Sequence, residues 1–139
     1  MPGLCILGAL KVGASPFRVS AKQYAKRIVG AGCRIDEAIV PLLRAGAPLT
    51  TYTIDTQRAV VDGSGILRSR ARIDLPWRLE FSIVFDDELF DSPARGHELL
   101  RTVLDYAGKF CGLLDFRPSA PKSPGSYGRF TVAAFDPAA

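Results

Sequence analysis

The sequence predicts an α+β fold in which helices pack on one face of a mostly antiparallel sheet. Three observations carry that prediction. Residues 66–74 and 77–85 place side chains at the two-residue period of a strand. Residues 93–111 hold Leu99, Leu100, Val103, Leu104, Ala107, Phe110 and Cys111 in one broad helical stripe. After a Gly/Pro-rich loop, residues 130–135 return to a strand-like composition. Strand, strand, helix, strand closes most simply as a ferredoxin-like or RRM-like layer, if an earlier helix and strand complete the βαββαβ order. At 139 residues the chain is expected to form a single domain, 1–139.

Taken in order, residues 2–14 put Pro2 where a first helical turn tolerates it, with Leu4, Leu7, Ala9 and Leu10 able to share a face. A helix is expected; a strand over residues 5–12 is the alternative, and glycines weaken both. Ser20 with Gln23 has the form of a capping box. It predicts a short helix to Val29, with Tyr24 and Ile28 as its apolar pair and Gly30 and Gly32 as its stop. Residues 33–49 give mixed signals, because helical spacing at Ile35, Ala38, Ile39, Leu42 and Leu43 is interrupted by Pro41. Residues 45–48 read as a loop. Residues 50–56 are β-branched and aromatic and predict a strand, which residues 58–61 continue or follow. Asp62-Gly-Ser-Gly is a turn.

In residues 66–74, Arg68, Arg70 and Arg72 share one face, and Leu67, Ser69, Ala71 and Ile73 the other. After Leu75-Pro, the side chains Trp77, Leu79, Phe81, Ile83 and Phe85 make the clearest alternating pattern in the chain. These two segments are near enough in sequence to pair as a hairpin. An acidic link from Asp86 to Asp91 leads to Ser92 as N-cap and Pro93 at the first helical position. His97, Glu98, Arg101, Asp105 and Lys109 form the wet side of that helix, and Gly112 ends it.

Charge and chemistry narrow the function. Eighteen Lys and Arg against fourteen Asp and Glu give a net charge of +4, and thirteen of the eighteen are Arg. Arg is always charged and a good partner for phosphate, so an anionic partner and plain solubility both agree with the balance. Cys5, Cys33 and Cys111 are widely spaced with no C-x-x-C, which predicts free thiols rather than a disulfide framework or a zinc site. No apolar run reaches the ~18–20 residues of a membrane span, and no basic residue precedes the apolar start. A cytoplasmic location in a bacterial host, without a membrane partner, is expected. The sequence has no metalloprotease, nucleophile-elbow, phosphate-loop or dinucleotide motif. His97 falls on a wet helix face, and Asp86, Asp87, Glu88 and Asp91 match no ion-loop spacing. Cys111 lies on the apolar stripe. Neither catalysis, nor a metal, nor a cofactor is expected.

Binding has more to stand on. Arg68, Arg70 and Arg72 recur every roughly 6–7 Å along their strand, close to the spacing of phosphates in an extended single strand. A loop from Asp115 to Gly128 carries Arg117, Lys122 and Tyr127, with Arg129 just after it. A Tyr that stacks and cations that meet a backbone are the usual composition of a single-strand site. The predicted function is therefore non-enzymatic binding of nucleic acid, single-stranded DNA or RNA, through these seven residues. The plainer alternatives are a solvated face that guards a sheet edge, and a loop that Phe116 and Phe130 merely anchor. The alternative function is a structural or assembly protein acting as a homo-oligomer, its positive strand set against the acidic segment of another copy.

The Arg-rich strand with Asp74, Trp77, Leu79, Glu80 and Phe81, together with Tyr106-Ala-Gly-Lys-Phe, Gly112-Leu-Leu-Asp-Phe-Arg-Pro and Tyr127-Gly-Arg-Phe, resembles a family of small uncharacterised phage and prophage proteins. The resemblance covers residues 66–132, and Leu114 stands where that family often has Gly. It implies a phage or mobile-element origin, and the chain reads as a member lacking the family's N-terminal portion. The outline is also similar to the RAMP-type backbone subunits of CRISPR effector complexes, which implies a ferredoxin-like core with basic, Gly-rich loops and RNA as partner.

Overall fold

A computed structural model describes residues 1–90, 92–122 and 124–137. The fold is α+β. In chain order its elements are α1 (Gly3–Gly13), β1 (Arg18–Ser20), β2 (Gln23–Tyr24), α2 (Ala25–Gly32), β3 (Cys33–Ile35), β4 (Leu43–Arg44), β5 (Ala47–Pro48), β6 (Thr53–Val61), β7 (Ser64–Arg72), β8 (Ile83–Phe85) and α3 (Pro93–Tyr106). The chain divides into two compact units. A hairpin unit comprises Met1 and residues 40–80, and a helical unit comprises residues 2–39 with the chain from Phe81 onward.

The helical unit is built as a core. α1 lays Ile6, Ala9 and Leu10 inward, α2 contributes Ala25, Ile28 and Val29, and α3 contributes Leu100, Val103 and Leu104. A Cβ at Gly13 would come within 2.7 Å of Ala107, so that glycine lets α1 approach the end of α3 closely. α3 starts as its sequence dictates: Ser92 Oγ accepts from the Arg95 amide at 3.4 Å, and Pro93 opens the helix. Its last turn widens into a π-helical turn over Ala107–Cys111, after which Gly112 takes φ 71°. β3 pairs antiparallel with β8, Cys33 opposite Phe85 and Ile35 opposite Ile83. Phe85 then stacks edge-on to Phe90 and to His97 at 5.3 and 5.1 Å between ring centres.

The hairpin unit has a different logic. β6 and β7 pair over nine residues each, from Thr53 opposite Arg72 to Val61 opposite Ser64. Asp62 and Gly63 close the turn at φ 49° and 80°. Two left-handed residues make the mirror-image turn whose twist matches the strands it joins. β4 and β5 form a second, minimal hairpin around Ala45 and Gly46. Arg44 braces the chain after β7 by donating to the carbonyls of Asp74 and Pro76.

Several expectations are corrected. Residues 64–72 pair with residues 53–61, so the arginine segment does not pair with 77–85. The two-residue turn costs the least loop entropy of any connection available to β7. Arg78 lies outside this hairpin; it bridges to Leu43, and its side chain meets Glu80 at 3.3 Å. Only Ile83–Phe85 of the second alternating segment is strand. No helix is capped by Ser20. Arg18 sits over the Tyr24 ring at 4.2 Å and donates to its hydroxyl at 2.6 Å, holding β1 to β2 and delaying α2 to Ala25. That helix runs through Gly30 to Gly32, and the mixed segment after it supplies β3. Residues 130–135 form no strand with any described residue, and the Phe130 amide ties their start to the Gly108 carbonyl at 3.2 Å. All four described sheets have two strands rather than sharing one layer. Asp91, Ser123, Ala138 and Ala139 lie outside the described residues, and with them part of the predicted acidic link, loop and tail. No described helix is long and apolar enough to cross a membrane.

Candidate nucleic-acid interface

The register of the hairpin sorts its side chains into two faces. Because opposed residues point the same way, one face carries Thr53, Asp55, Gln57, Ala59 and Val61 with Arg72, Arg70, Arg68, Ile66 and Ser64. The other carries Ile54, Thr56, Arg58 and Val60 with Ala71, Ser69, Leu67 and Gly65. The predicted arginine row therefore exists, on one face and in sequence. Its charges are partly answered by the protein. Arg70 stands opposite Asp55. Arg72 reaches Asp74 at 2.9 Å and Asp55 at 3.7 Å. Arg68 stands opposite Gln57, is exposed, and has no acidic partner among the described residues. Gln57 itself donates to Asp55 at 2.8 Å.

The other four predicted residues belong to the helical unit. Arg117 turns into its own loop, donating to the Leu114 carbonyl at 2.7 Å and to Ser119 Oγ at 3.2 Å. Ser119 in turn donates to the Cys111 carbonyl at 2.9 Å. Arg129 donates to the Lys109 carbonyl at 2.7 Å, at the end of the helix where carbonyls are left over and a cation is favoured. Tyr127 meets Phe116 edge-on at 6.1 Å, and its amide bonds to the Phe116 carbonyl at 2.9 Å. Lys122 is exposed. Arg117, Tyr127 and Arg129 thus make contacts within this unit, while Tyr127 and Arg129 stay partly exposed. Gly128, at φ 69°, allows this because any Cβ there would collide with the Leu113 carbonyl.

Two further groups bear on chemistry. Burial pushes the Cys33 thiol up to about 11, and burial raises Cys111 as well, against the charge of Arg117. Both thiols stay protonated at neutral pH and are poor nucleophiles. The Glu37 carboxylate accepts the Ser82 amide with both oxygens, at 3.0 and 2.9 Å, which holds it below its ordinary value of 4.5. This is a bond that extends the β3–β8 pairing. Among the described residues no three His, Cys, Asp or Glu side chains converge as metal ligands would.

Sequence reasoning missed the second hairpin face. Ile54, Val60 and Leu67 are 65%, 71% and 73% exposed, with only Thr56, Ser69, Arg58 and small residues between them. The signal for it is weak, because Thr56 and Arg58 lie between Ile54 and Val60 on that face. No family model matches the chain, and no curated protein or solved structure matches it significantly.

Proposed function

We propose that this is a non-enzymatic assembly protein that works as a homo-oligomer, with the β6–β7 hairpin as its joining element. The observation that carries this reading is the open apolar face of Ile54, Val60 and Leu67 on a sheet of two strands. A lone two-stranded hairpin is at best marginally stable in water, and exposed apolar patches mark interaction sites. A second copy beside it supplies the further strands that the hairpin unit lacks. The role suits a small protein of phage or mobile-element origin. Light scattering of the full chain across a concentration series tests it. The expected mass is a multiple of 15.0 kDa, falling toward one chain in Ile54→Asp. A single-chain mass at every concentration would sink the reading.

Nucleic-acid binding is the second reading, and Arg68 favours it. This arginine is exposed at the turn-side end of the row and has no described acid beside it. Arg70 and Arg72 would supply the next phosphate contacts along the strand, at the cost of loosening Asp55 and Asp74. Binding of labelled single-stranded DNA and RNA across a salt series is the test. Arg68→Ala should lower the salt slope by about 1, the loss of one phosphate contact. Slopes unchanged by that substitution would remove the strand from any nucleic-acid site.

A further inference from the structure

The assembly reading leaves open which edge of the hairpin meets a second copy, and the residue pattern selects one. We propose that two copies join antiparallel along their β6 strands, Gln57 facing Gln57 of the second copy across a two-fold axis. The product is a four-stranded sheet in the order β7, β6, β6, β7. This inference rests on the assembly reading above.

Backbone geometry comes first. In a two-residue hairpin, the pair flanking the turn exchanges both backbone bonds, and bonded pairs then alternate with unbonded ones. Val61 opposite Ser64 sets that phase. Positions 61, 59, 57, 55 and 53 of β6 therefore bond inward to β7, while Ile54, Thr56, Arg58 and Val60 present their N–H and C=O groups outward. An antiparallel pair centred on Gln57 sets Ile54 against Val60 and Thr56 against Arg58, each in both directions. Every outward group of one strand then finds an outward group of the other.

Side chains agree with this register. Ile54 and Val60 make two large apolar pairs. Asp55 lies opposite Ala59 and Thr53 opposite Val61, so no like charges face each other. The β7 edge behaves otherwise. Its full-length self-pairing sets Arg68 against Arg68, with Arg70 and Arg72 of both copies on the same face, and like charges directly opposite are destabilising. Charged side chains along a strand are also a common device for protecting an edge. Pairing β6 of one copy with β7 of the next would leave Ile54 against Ala71 and Val60 against Gly65, and it would repeat without closing. The two-fold arrangement closes at two copies. It also joins the Ile54, Val60 and Leu67 faces of both hairpins into one apolar surface and leaves the arginine rows on its two outer strands.

The test uses the full chain. Gln57 sits at an unbonded position of the new pair, where opposed Cα atoms are about 4.5 Å apart, within the reach of a disulfide. Under mild oxidation Gln57→Cys should give a covalent dimer, whereas Asp55→Cys and the wild type, with its own Cys5, Cys33 and Cys111, should not. Light scattering of the wild type should give twice 15.0 kDa. Ile54→Arg with Val60→Arg should return it to one chain with an unchanged circular dichroism spectrum. An oligomer without the Gln57→Cys cross-link, or a ladder of species beyond two, overturns the β6 edge and leaves the assembly reading standing. A single-chain mass throughout overturns both.

Discussion

The two units of this molecule answer the hydrophobic effect in opposite ways. Among the described residues, every buried apolar side chain except Val40 belongs to the helical unit. The hairpin unit is less than half as long, yet it carries Tyr52, Ile54, Val60, Val61, Ile66, Leu67 and Leu75 exposed. Helices with a broad apolar stripe cover one another and need nothing more. A hairpin of two strands covers neither face, and its stability comes from backbone bonds and from whatever sits on it. The difference separates a region that buries its apolar side chains from a region that leaves them exposed.

Substitutions sharpen that contrast. The largest effect is expected in the core of the helical unit. Leu100→Ala removes a fully buried side chain and should cost about 2–5 kcal/mol in urea denaturation. Leu67→Ala, on the open face, should change the stability of the single chain by no more than about 0.5 kcal/mol. Equal losses would erase the distinction. Next comes Gly63→Val, which forces a β-branched residue to φ 80° and should cost the hairpin about 1–2 kcal/mol. Amide exchange should show faster opening of β6 and β7 with α1 and α3 unaffected; parallel changes in both would mean the units unfold together.

Smaller effects follow. Ser92→Ala removes the side-chain cap of α3 and should lower stability by about 1 kcal/mol in the same denaturation assay. The smallest concerns Glu37. Its carboxyl is held below 4.5 by the Ser82 amide, so it binds protons less readily folded than unfolded. The stabilisation it contributes is complete above its ordinary value and is lost as pH falls through its lower folded value. Melting curves of Glu37→Gln should depend less on pH below about 4.5 than those of the wild type, while hairpin exchange rates stay as they were. A pH profile identical to the wild type would remove Glu37 from the acid response.

Much of the local structure was legible in the residues. Pro2 with Leu7 and Leu10 favoured a helix at α1 over the strand alternative; Ser92 and Pro93 announced the start of α3; Asp62 with Gly63 announced the turn. The candidate site was legible in part. The spacing of Arg68, Arg70 and Arg72 placed them on one face, as found. It did not show that Asp55 stands among them, because Asp55 is far away in sequence. Nor did the composition of the C-terminal loop show that Arg117 and Arg129 turn back onto carbonyls of Leu114 and Lys109. A guanidinium meets phosphate or a backbone carbonyl by the same hydrogen bonds, and composition cannot choose between them.

By itself the sequence determined the α+β class, the three helices in outline and the tight turn at Asp62-Gly63. These depend on steric and hydrogen-bond preferences among residues a few positions apart. Only the tertiary structure decided that β7 pairs with β6, that residues 33–35 pair with 83–85, and that the face of Ile54, Val60 and Leu67 stays open. A period of two says which side chains share a face. Which strand lies beside it, and whether anything covers it, is settled by contacts between distant residues that no local pattern records.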